Sequence, residues 1–272
     1  MPSSVSPQCP IGVFDSGLGG LTIAAALARI LPSEQIIYLG DTARVPYGGR
    51  SKSIITRFAC EDTDFLLTKG VKCIVVACNT VSANAMAAVR SRAAAIGTFG
   101  MIDAGVDAVI RSGARSVAIL GTRATILSEA YPTALLKRCP ELKIRSVACP
   151  LFVPVVEEGL FSGPIVQNVI DFYLHDLLNN PPDAVLLGCT HYPLLKNALS
   201  GFLPPSVKIL DCADTAAMTI KHFLEQNRLT ADESSKGSLE LFVTDYPAVF
   251  REQAEHFLQK KYSASVHVVT IS

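Results

Sequence analysis

The sequence contains the same strand-and-helix plan twice, and this duplication limits the folds open to the chain more than any other feature. Three pairs of segments match in order, about 106 to 111 residues apart: GVFDSG with AILGT, YLGD and PYG with SVAC and VPVVEEG, and VVACNT with LLGCTH. In each copy, apolar runs alternate with helical stretches, which is typical of a βαβαβ unit. The pattern predicts an α/β fold built from two pseudo-symmetric halves.

The predicted strands are continuous apolar runs, such as 73–78 (CIVVAC) and 184–189 (AVLLGC). Strands of this kind are covered on both faces, which indicates doubly wound domains with mostly parallel sheets. The apolar runs near the C-terminus, 239–245 and 265–271, are expected to return to the first sheet. We therefore expect one domain from residues 10–100 plus 212–272 and a second from residues 101–211.

Charge and hydropathy indicate which kinds of molecule the protein binds. The 24 Lys and Arg residues balance 24 Asp and Glu residues, so no net field attracts nucleic acid or an anionic membrane. No apolar run approaches the roughly 20 residues of a membrane helix, and the first ten residues do not read as a secretory signal. We expect a cytoplasmic protein that binds a small molecule, with no nucleic-acid or membrane partner.

Two of the eight cysteines are candidates for residues of a functional site. The spacing contains no C-x-x-C and no zinc-finger pattern, so free thiols and no metal are expected. Cys78 and Cys189 each follow a predicted strand directly, and ligands of parallel α/β sheets bind beyond the carboxyl ends of the strands. Core filling is the better interpretation for five others: Cys60, Cys73, Cys139, Cys149 and Cys212.

The residues after these two cysteines favour reactive thiols. Asn79 and Thr80 follow Cys78, and Thr190 follows Cys189; all three are suited to capping the next helix. The positive end of a helix lowers the pKa of a thiol, which makes it a competent base at neutral pH. A buried filler cysteine explains one such site, but hardly two in register.

Two carboxylates end predicted strands in the first half. Asp15 precedes Ser16 and a Gly-rich loop, and Asp41 ends the second strand. A carboxylate here suits an ammonium group or a thiol that needs a hydrogen-bond partner, and would repel phosphate. Simple capping of a helix or turn is the alternative for both acids.

Three further features are candidates for the site. The turn at Tyr47 and Gly48 can point backbone N–H groups into a cleft, although an ordinary loop also fits. Glu157 occupies the matching place in the second half, and a residue on a solvated acidic face is an equally good interpretation of it. His191 follows Cys-Thr directly, whereas the other histidines lie in helical or C-terminal strand contexts.

Five motifs in series resemble the glutamate racemases of the cofactor-independent aspartate/glutamate racemase superfamily. They are FDSGLGGLT (14–22), GDTARVPYG (40–48), ACNTVSA (77–83), FVPVVEEG (152–159) and GCTHYPLL (188–195). The resemblance implies an active site in the cleft between two α/β domains, with the two cysteines on opposite faces of the substrate Cα. Cys78 would take the proton from D-glutamate, and Cys189 would take it from L-glutamate.

The resemblance also implies roles for the other candidates. Asp15 would support Cys78, and His191 with Glu157 would support Cys189, with Asp41 nearby. The substrate carboxylates and ammonium group would be bound by Asp15, Ser16, Tyr47, Gly48, Asn79, Thr80, Thr190 and His191, and by Thr122 at the mirror position of Ser16. Members of the family make D-glutamate for bacterial peptidoglycan, use no cofactor and are commonly homodimers.

The chemistry agrees with the duplication. Racemisation needs a base on one face of Cα and an acid on the other, and no lysine at a strand end suggests a pyridoxal phosphate site. Stabilisation of the carbanion is then expected from hydrogen bonds around the carboxylate. The alternatives are an aspartate racemase, a thiol redox protein that forms a disulfide between the two cysteines, and a non-catalytic amino-acid-binding protein.

Overall fold

The computed structural model describes residues 5–94, 96–246, 250–258 and 266–271. Its strands are β1 (Ile11–Asp15), β2 (Gln35–Gly40), β3 (Cys73–Val76), β4 (Gly97–Gly100), β5 (Ser116–Gly121), β6 (Lys143–Ala148), β7 (Ala184–Gly188), β8 (Lys208–Leu210), β9 (Ser238–Val243) and β10 (Val266–Val268). Its helices are α1 (Leu21–Ile30), α2 (Lys52–Thr68), α3 (Asn79–Asn84), α4 (Met86–Ala93), α5 (Met101–Ser112), α6 (Arg123–Leu127), α7 (Ala130–Arg138), α8 (Phe152–Glu157), α9 (Pro164–Asn179), α10 (Lys196–Phe202), α11 (Ala213–Gln226) and α12 (Phe250–Leu258), and a 3-10 turn covers Tyr192–Leu195.

The strands form two sheets, in the orders β10-β9-β2-β1-β3-β4 and β6-β5-β7-β8. All the pairings between described strands are parallel. The order β2-β1-β3-β4 in the first sheet repeats as β6-β5-β7-β8 in the second. The predicted α/β fold with parallel sheets is therefore confirmed, and the duplication extends to β4 and β8, beyond the segments matched in sequence.

The chain crosses between the two sheets more than once. Helix α5 follows β4 of the first sheet but packs on β7 and β8 of the second, whereas α11 follows β8 and packs on α1 and β4. Strand β9 then pairs with β2 in the first sheet. The division into domains at residues 100 and 211 stays a prediction.

The apolar core is shared by the two sheets. One cluster of buried side chains includes Ile11 and Val75 of the first sheet and Leu120 and Leu186 of the second. A second cluster lies on the other face of the first sheet, under α2 and α4. Strands β1, β3 and β7 are buried along their whole length because helices cover both faces. None of the helices in the described ranges is long and apolar enough to span a membrane.

Two stretches differ from the sequence-based expectation. The composition of residues 124–138 favours one helix, but the structure has two, α6 and α7, because Glu129 has a left-handed φ of 54°. Residues 79–112 form α3, α4, β4 and α5, of which only a helix directly after Cys78 was expected. The 79–94 part of this stretch is rich in alanine and has no clear apolar period, so its helical structure depends on packing against neighbours.

Candidate active site

A cavity of about 420 Å³ lies between the carboxyl ends of the strands of the two sheets. Both halves of the chain contribute to its wall. The predicted site residues that line it are Ser16, Tyr47, Gly48, Cys78, Asn79, Thr80, Thr122, Glu157, Cys189, Thr190 and His191. Asp15 and Asp41 lie behind this wall, so the structure brings eleven of the thirteen predicted residues to one cavity.

Cys78 follows β3 and begins α3. The residue is 4% exposed, and its Sγ donates a hydrogen bond to Ser16 Oγ at 3.5 Å. Burial, together with the nearby charge of Asp15, raises the pKa of Cys78 to about 12 and outweighs the bond to Ser16. The predicted lowering of the Cys78 pKa is therefore wrong, because desolvation of the sulfur is the larger effect. At neutral pH Cys78 is a thiol.

Cys189 follows β7, the strand that corresponds to β3. Its Sγ lies 3.9 Å from His191 Nδ1, and His191 Nε2 lies 3.3 Å from Glu157 Oε1. Burial lowers the pKa of His191, but Cys189 and Glu157 outweigh that effect and raise the pKa to about 10. An imidazolium therefore lies between Cys189 and Glu157 at neutral pH, where it can stabilise negative charge on the sulfur.

Asp15 connects the two halves of the site. Its Oδ2 accepts a hydrogen bond from Gly17 N at 3.0 Å, and its Oδ1 accepts one from Thr190 Oγ1 at 3.5 Å. Burial raises the pKa of Asp15, and the charge of His191 opposes this rise. The resemblance assigns Asp15 to Cys78. In the structure the carboxylate acts on Cys78 through its charge, while its side-chain contact crosses to the Cys189 half.

Asp41 lies outside the cavity and holds the turn that lines it. The turn comprises residues 45–49. Asp41 Oδ2 accepts hydrogen bonds from the Tyr47 hydroxyl and from Arg44 Nε, and its Oδ1 accepts one from Thr244 Oγ1 at 2.8 Å. The Tyr47 hydroxyl is therefore directed at Asp41, which leaves the backbone of the turn to face the cavity.

The polar residues after the cysteines do not cap helices as predicted. Asn79 Oδ1 accepts a hydrogen bond from the Tyr131 hydroxyl at 2.6 Å, and Thr80 Oγ1 lies 2.9 Å from Thr122 Oγ1. Helix α3 has Cys78 at its N-cap without a side-chain cap. After Thr190 comes the 3-10 turn, whose N-cap His191 also lacks one. The capping prediction is wrong because these side chains bond across the site instead.

Sequence reasoning missed several residues of the site. Arg123 is exposed and is the one lysine or arginine on the cavity wall within the described ranges. Val153 and Pro154, at the start of α8, form an apolar part of the wall. Arg123 could have been predicted as a site residue because it directly follows the candidate Thr122. Nothing in the sequence marks Val153 and Pro154 as site residues, because a short apolar stretch normally indicates core.

Comparisons with known proteins identify the family of the chain. The pattern of the Asp/Glu/Hydantoin racemase family matches residues 21–220. A glutamate racemase of Thermus thermophilus is 45% identical over 251 residues, which are 92% of each chain. That of Chlorobaculum tepidum is 41% identical over 255 residues, covering 93% of this chain and 94% of the relative.

A crystal structure of glutamate racemase from Francisella tularensis, in complex with D-glutamate, superposes with a TM-score of 0.91 at 40% identity. The match covers 97% of this chain and 98% of that chain. Fold, site and relatives together define an isomerase of the amino-acid racemase class. The chain belongs to the Asp/Glu/Hydantoin racemase family and, within it, to the glutamate racemases.

Proposed function

We propose that the chain interconverts L- and D-glutamate by moving the Cα proton between two thiols. One observation carries the proposal: Cys78 and Cys189 follow the equivalent strands β3 and β7 and line the same cavity. Inversion at a carbon needs a base and an acid on opposite faces, and mirror-image substrates need near-equivalent groups on both sides. A duplicated cysteine at the ends of equivalent strands meets both needs.

In the direction from L- to D-glutamate, the Cys189 thiolate removes the Cα proton. The electron pair of the C–H bond moves towards the α-carboxylate, and the Cys78 thiol donates its proton to the opposite face. Once D-glutamate has formed, Cys189 is a thiol and Cys78 is a thiolate, and this second state of the enzyme is the one that reacts with D-glutamate. The protonated Cys78 and the imidazolium beside Cys189 support the first state, in which Cys189 is the thiolate.

The carbanionic transition state requires stabilisation without an electron-withdrawing cofactor. In our proposal, which assigns no cofactor, hydrogen bonds supply it, because fixed donors in a dry site stabilise developing charge strongly. The resemblance assigns this binding to Ser16, the Tyr47–Gly48 turn, Asn79, Thr80, Thr190 and His191, with Thr122, and assigns Asp15 to the ammonium group as well. The cavity lining supports all of these except Asp15, which reaches the site through Thr190.

Glutamate is the preferred substrate in this proposal rather than aspartate. Its support is the set of curated relatives named glutamate racemase and the D-glutamate in the Francisella tularensis complex. We also propose that the protein acts in the cytoplasm as a homodimer and supplies D-glutamate for peptidoglycan, as the resemblance implies. The predicted two-domain division is part of the proposal and is supported by the return of β9 to the first sheet.

Incubation of the purified protein with L-glutamate in D2O tests the reaction. We expect loss of optical rotation together with deuterium at Cα. Cys78→Ala and Cys189→Ala should each lower the racemisation rate by about 10² to 10⁴-fold, the usual contribution of a positioned acid or base. Cys139→Ala, at the half-buried end of α7, is the matched control and should racemise normally.

Other outcomes separate the alternatives. Near-normal turnover by either active-site variant would overturn the two-thiol mechanism. Turnover of aspartate alone would identify an aspartate racemase, and binding without exchange would identify an amino-acid-binding protein. A Cys78–Cys189 disulfide that forms during turnover, seen by mass spectrometry, would identify a thiol redox protein.

A further inference from the structure

A buried polar cluster lies behind the turn that forms one wall of the cavity. The Tyr47 side chain is 1% exposed, and its hydroxyl contacts Asp41 and Asp62, which are both fully buried. Arg44 joins the cluster from the same loop, and its Nη2 lies 3.2 Å from Asp62 Oδ1. Asp62 is on α2, outside every motif that the sequence analysis singled out.

The Tyr47 hydroxyl donates to both buried carboxyl groups of the cluster. Its hydrogen is directed at Asp41 Oδ2 in the closer contact, and Asp62 Oδ2 accepts from the same hydroxyl at 3.3 Å. Asp62 Oδ1 in turn accepts from Arg44 Nη2. Burial and the neighbouring Asp41 raise the pKa of Asp62 well above its usual range, against the effects of Arg44 and of the hydrogen bond from Tyr47.

Arg44 holds the carboxyl groups of the cluster together. It forms ion pairs with Asp41, Glu61 and Asp62, and its guanidinium lies 4.1 Å from the centre of the Phe58 ring. Asp62 therefore accepts from two donors, the Tyr47 hydroxyl and the Arg44 guanidinium, and connects α2 to the loop that carries both.

The same turn is held on its cavity side by the second half of the chain. Gly48 O accepts a hydrogen bond from Ala124 N at 3.0 Å. A Cβ on Gly48 would lie 2.7 Å from Thr122 Cβ, so the backbone approaches as closely as glycine permits. Besides the hydrogen bond from Arg50 N to Tyr47 O within the turn, the Tyr47–Gly48 backbone is attached to α6 on one side and, through the Tyr47 side chain, to Asp41 and Asp62 on the other.

We propose that Asp62 is a positioning residue for substrate binding, which it serves by fixing the Tyr47–Gly48 backbone through a hydrogen bond to Tyr47. This inference rests on the proposed function, in which the turn binds a substrate carboxylate. Asp62 does not touch the substrate. Its loss is therefore expected to weaken binding of the substrate and to leave the two thiols in place.

Substitutions that separate shape from hydrogen bonding test the proposal. Asn has nearly the shape of Asp and its side-chain oxygen can accept from the Tyr47 hydroxyl, so Asp62→Asn should retain the KM of the unaltered enzyme. Asp62→Leu has no acceptor and should raise KM about tenfold, the loss expected for one hydrogen bond, with kcat within about twofold. Tyr47→Phe should raise KM similarly, and adding Asp62→Leu to it should have little further effect.

Asp64→Asn is the matched control on the same helix. Asp64 pairs with Arg92 at the protein surface, at 2.6 Å, and this variant should leave KM unchanged. Calorimetric binding of D-glutamate to the same variants reports affinity independently of turnover. Failure of the unaltered protein to racemise would therefore refute the proposed function alone.

Two results would overturn the inference itself. An Asp62→Leu variant with unchanged KM and unchanged affinity, and only a lower melting temperature, would show a purely structural residue. An Asp62→Asn variant that weakens binding as much as Asp62→Leu would show that the hydrogen bond from Tyr47 is not what fixes the turn.

Discussion

At the scale of single residues, the two thiols have different surroundings although they end equivalent strands. Cys78 lies beside the Ser16 hydroxyl and the charge of Asp15, whereas Cys189 lies beside the imidazole of His191. A near-symmetric reaction therefore takes place in a site where different groups surround the two thiols. The asymmetry is largest at His191, which has no counterpart after Cys78 because Thr80 occupies the matching position.

The charge of His191 gives a prediction about pH. Its pKa is raised to about 10, so the imidazolium is present below that pH and is lost as the pH rises through it. We expect kcat/KM to fall across the same range, equally for both enantiomers because their equilibrium constant is one. The ammonium group of the substrate titrates in the same pH range. His191→Gln is therefore the control, because any fall of its kcat/KM in that range comes from the substrate alone.

An NMR titration of the histidine ring nitrogens measures the same property without substrate. A charged His191 ring at pH 8 is the expected result. A neutral ring at that pH would contradict the ion pair with Glu157, for which the separation is 3.3 Å.

At the scale of elements, the loop from β1 to α1 is as important for the second half-site as for the first. A Cβ on Gly19 would lie 2.3 Å from Thr190 Oγ1 and 2.5 Å from His191 Nδ1. Thr22 Oγ1, at the start of α1, approaches Thr190 O at 3.5 Å. The glycine in this loop lets a turn of the first half lie against the segment that carries His191.

We therefore expect Gly19→Ala to displace Thr190 and His191 and to lower kcat/KM by about 10² or more, the size of a general acid–base contribution. Steady-state kinetics measure this loss. Gly201→Ala, in α10 with open space around the new methyl group, is the control. It should keep full activity and gain slightly in stability, since alanine is the better helix former. Unchanged kinetics for Gly19→Ala would show that the loop can move away without harm.

At the scale of the whole molecule, the shared core connects the halves that carry the two thiols. A single apolar cluster includes buried side chains from both sheets, and α5 and α11 each follow a strand of one sheet and pack on the other. The cavity lies between these halves, so relative motion of the sheets would change the spacing across the substrate. A common core restricts that motion.

The shared core predicts a single unfolding transition. Ile11→Ala in β1 and Leu186→Ala in β7 remove fully buried side chains from different sheets. Each should destabilise the protein by about 2–5 kcal/mol and lower the same transition in scanning calorimetry. Two separate transitions, with each variant shifting only one, would instead show that the halves unfold independently.

The amino-acid sequence by itself determined the α/β fold, its duplication and the two strand-end cysteines. Continuous apolar runs and glycine-rich turns are local signals, and the carboxyl ends of parallel strands bring their residues to one edge of a sheet. Helix α2 was also predictable, since Ser51 caps it and its apolar residues share one face.

Only the tertiary structure decided the electrostatics and the contacts between halves. The pKa of Cys78 is raised by burial, the charge of His191 depends on Glu157 from another element, and Asp62 meets Tyr47 through packing of α2 against a loop. Desolvation depends on every atom around a group, and these atoms come from segments distant along the chain. A pattern read along the sequence contains no such distances, which is why it located the thiols and yet misjudged the pKa of Cys78.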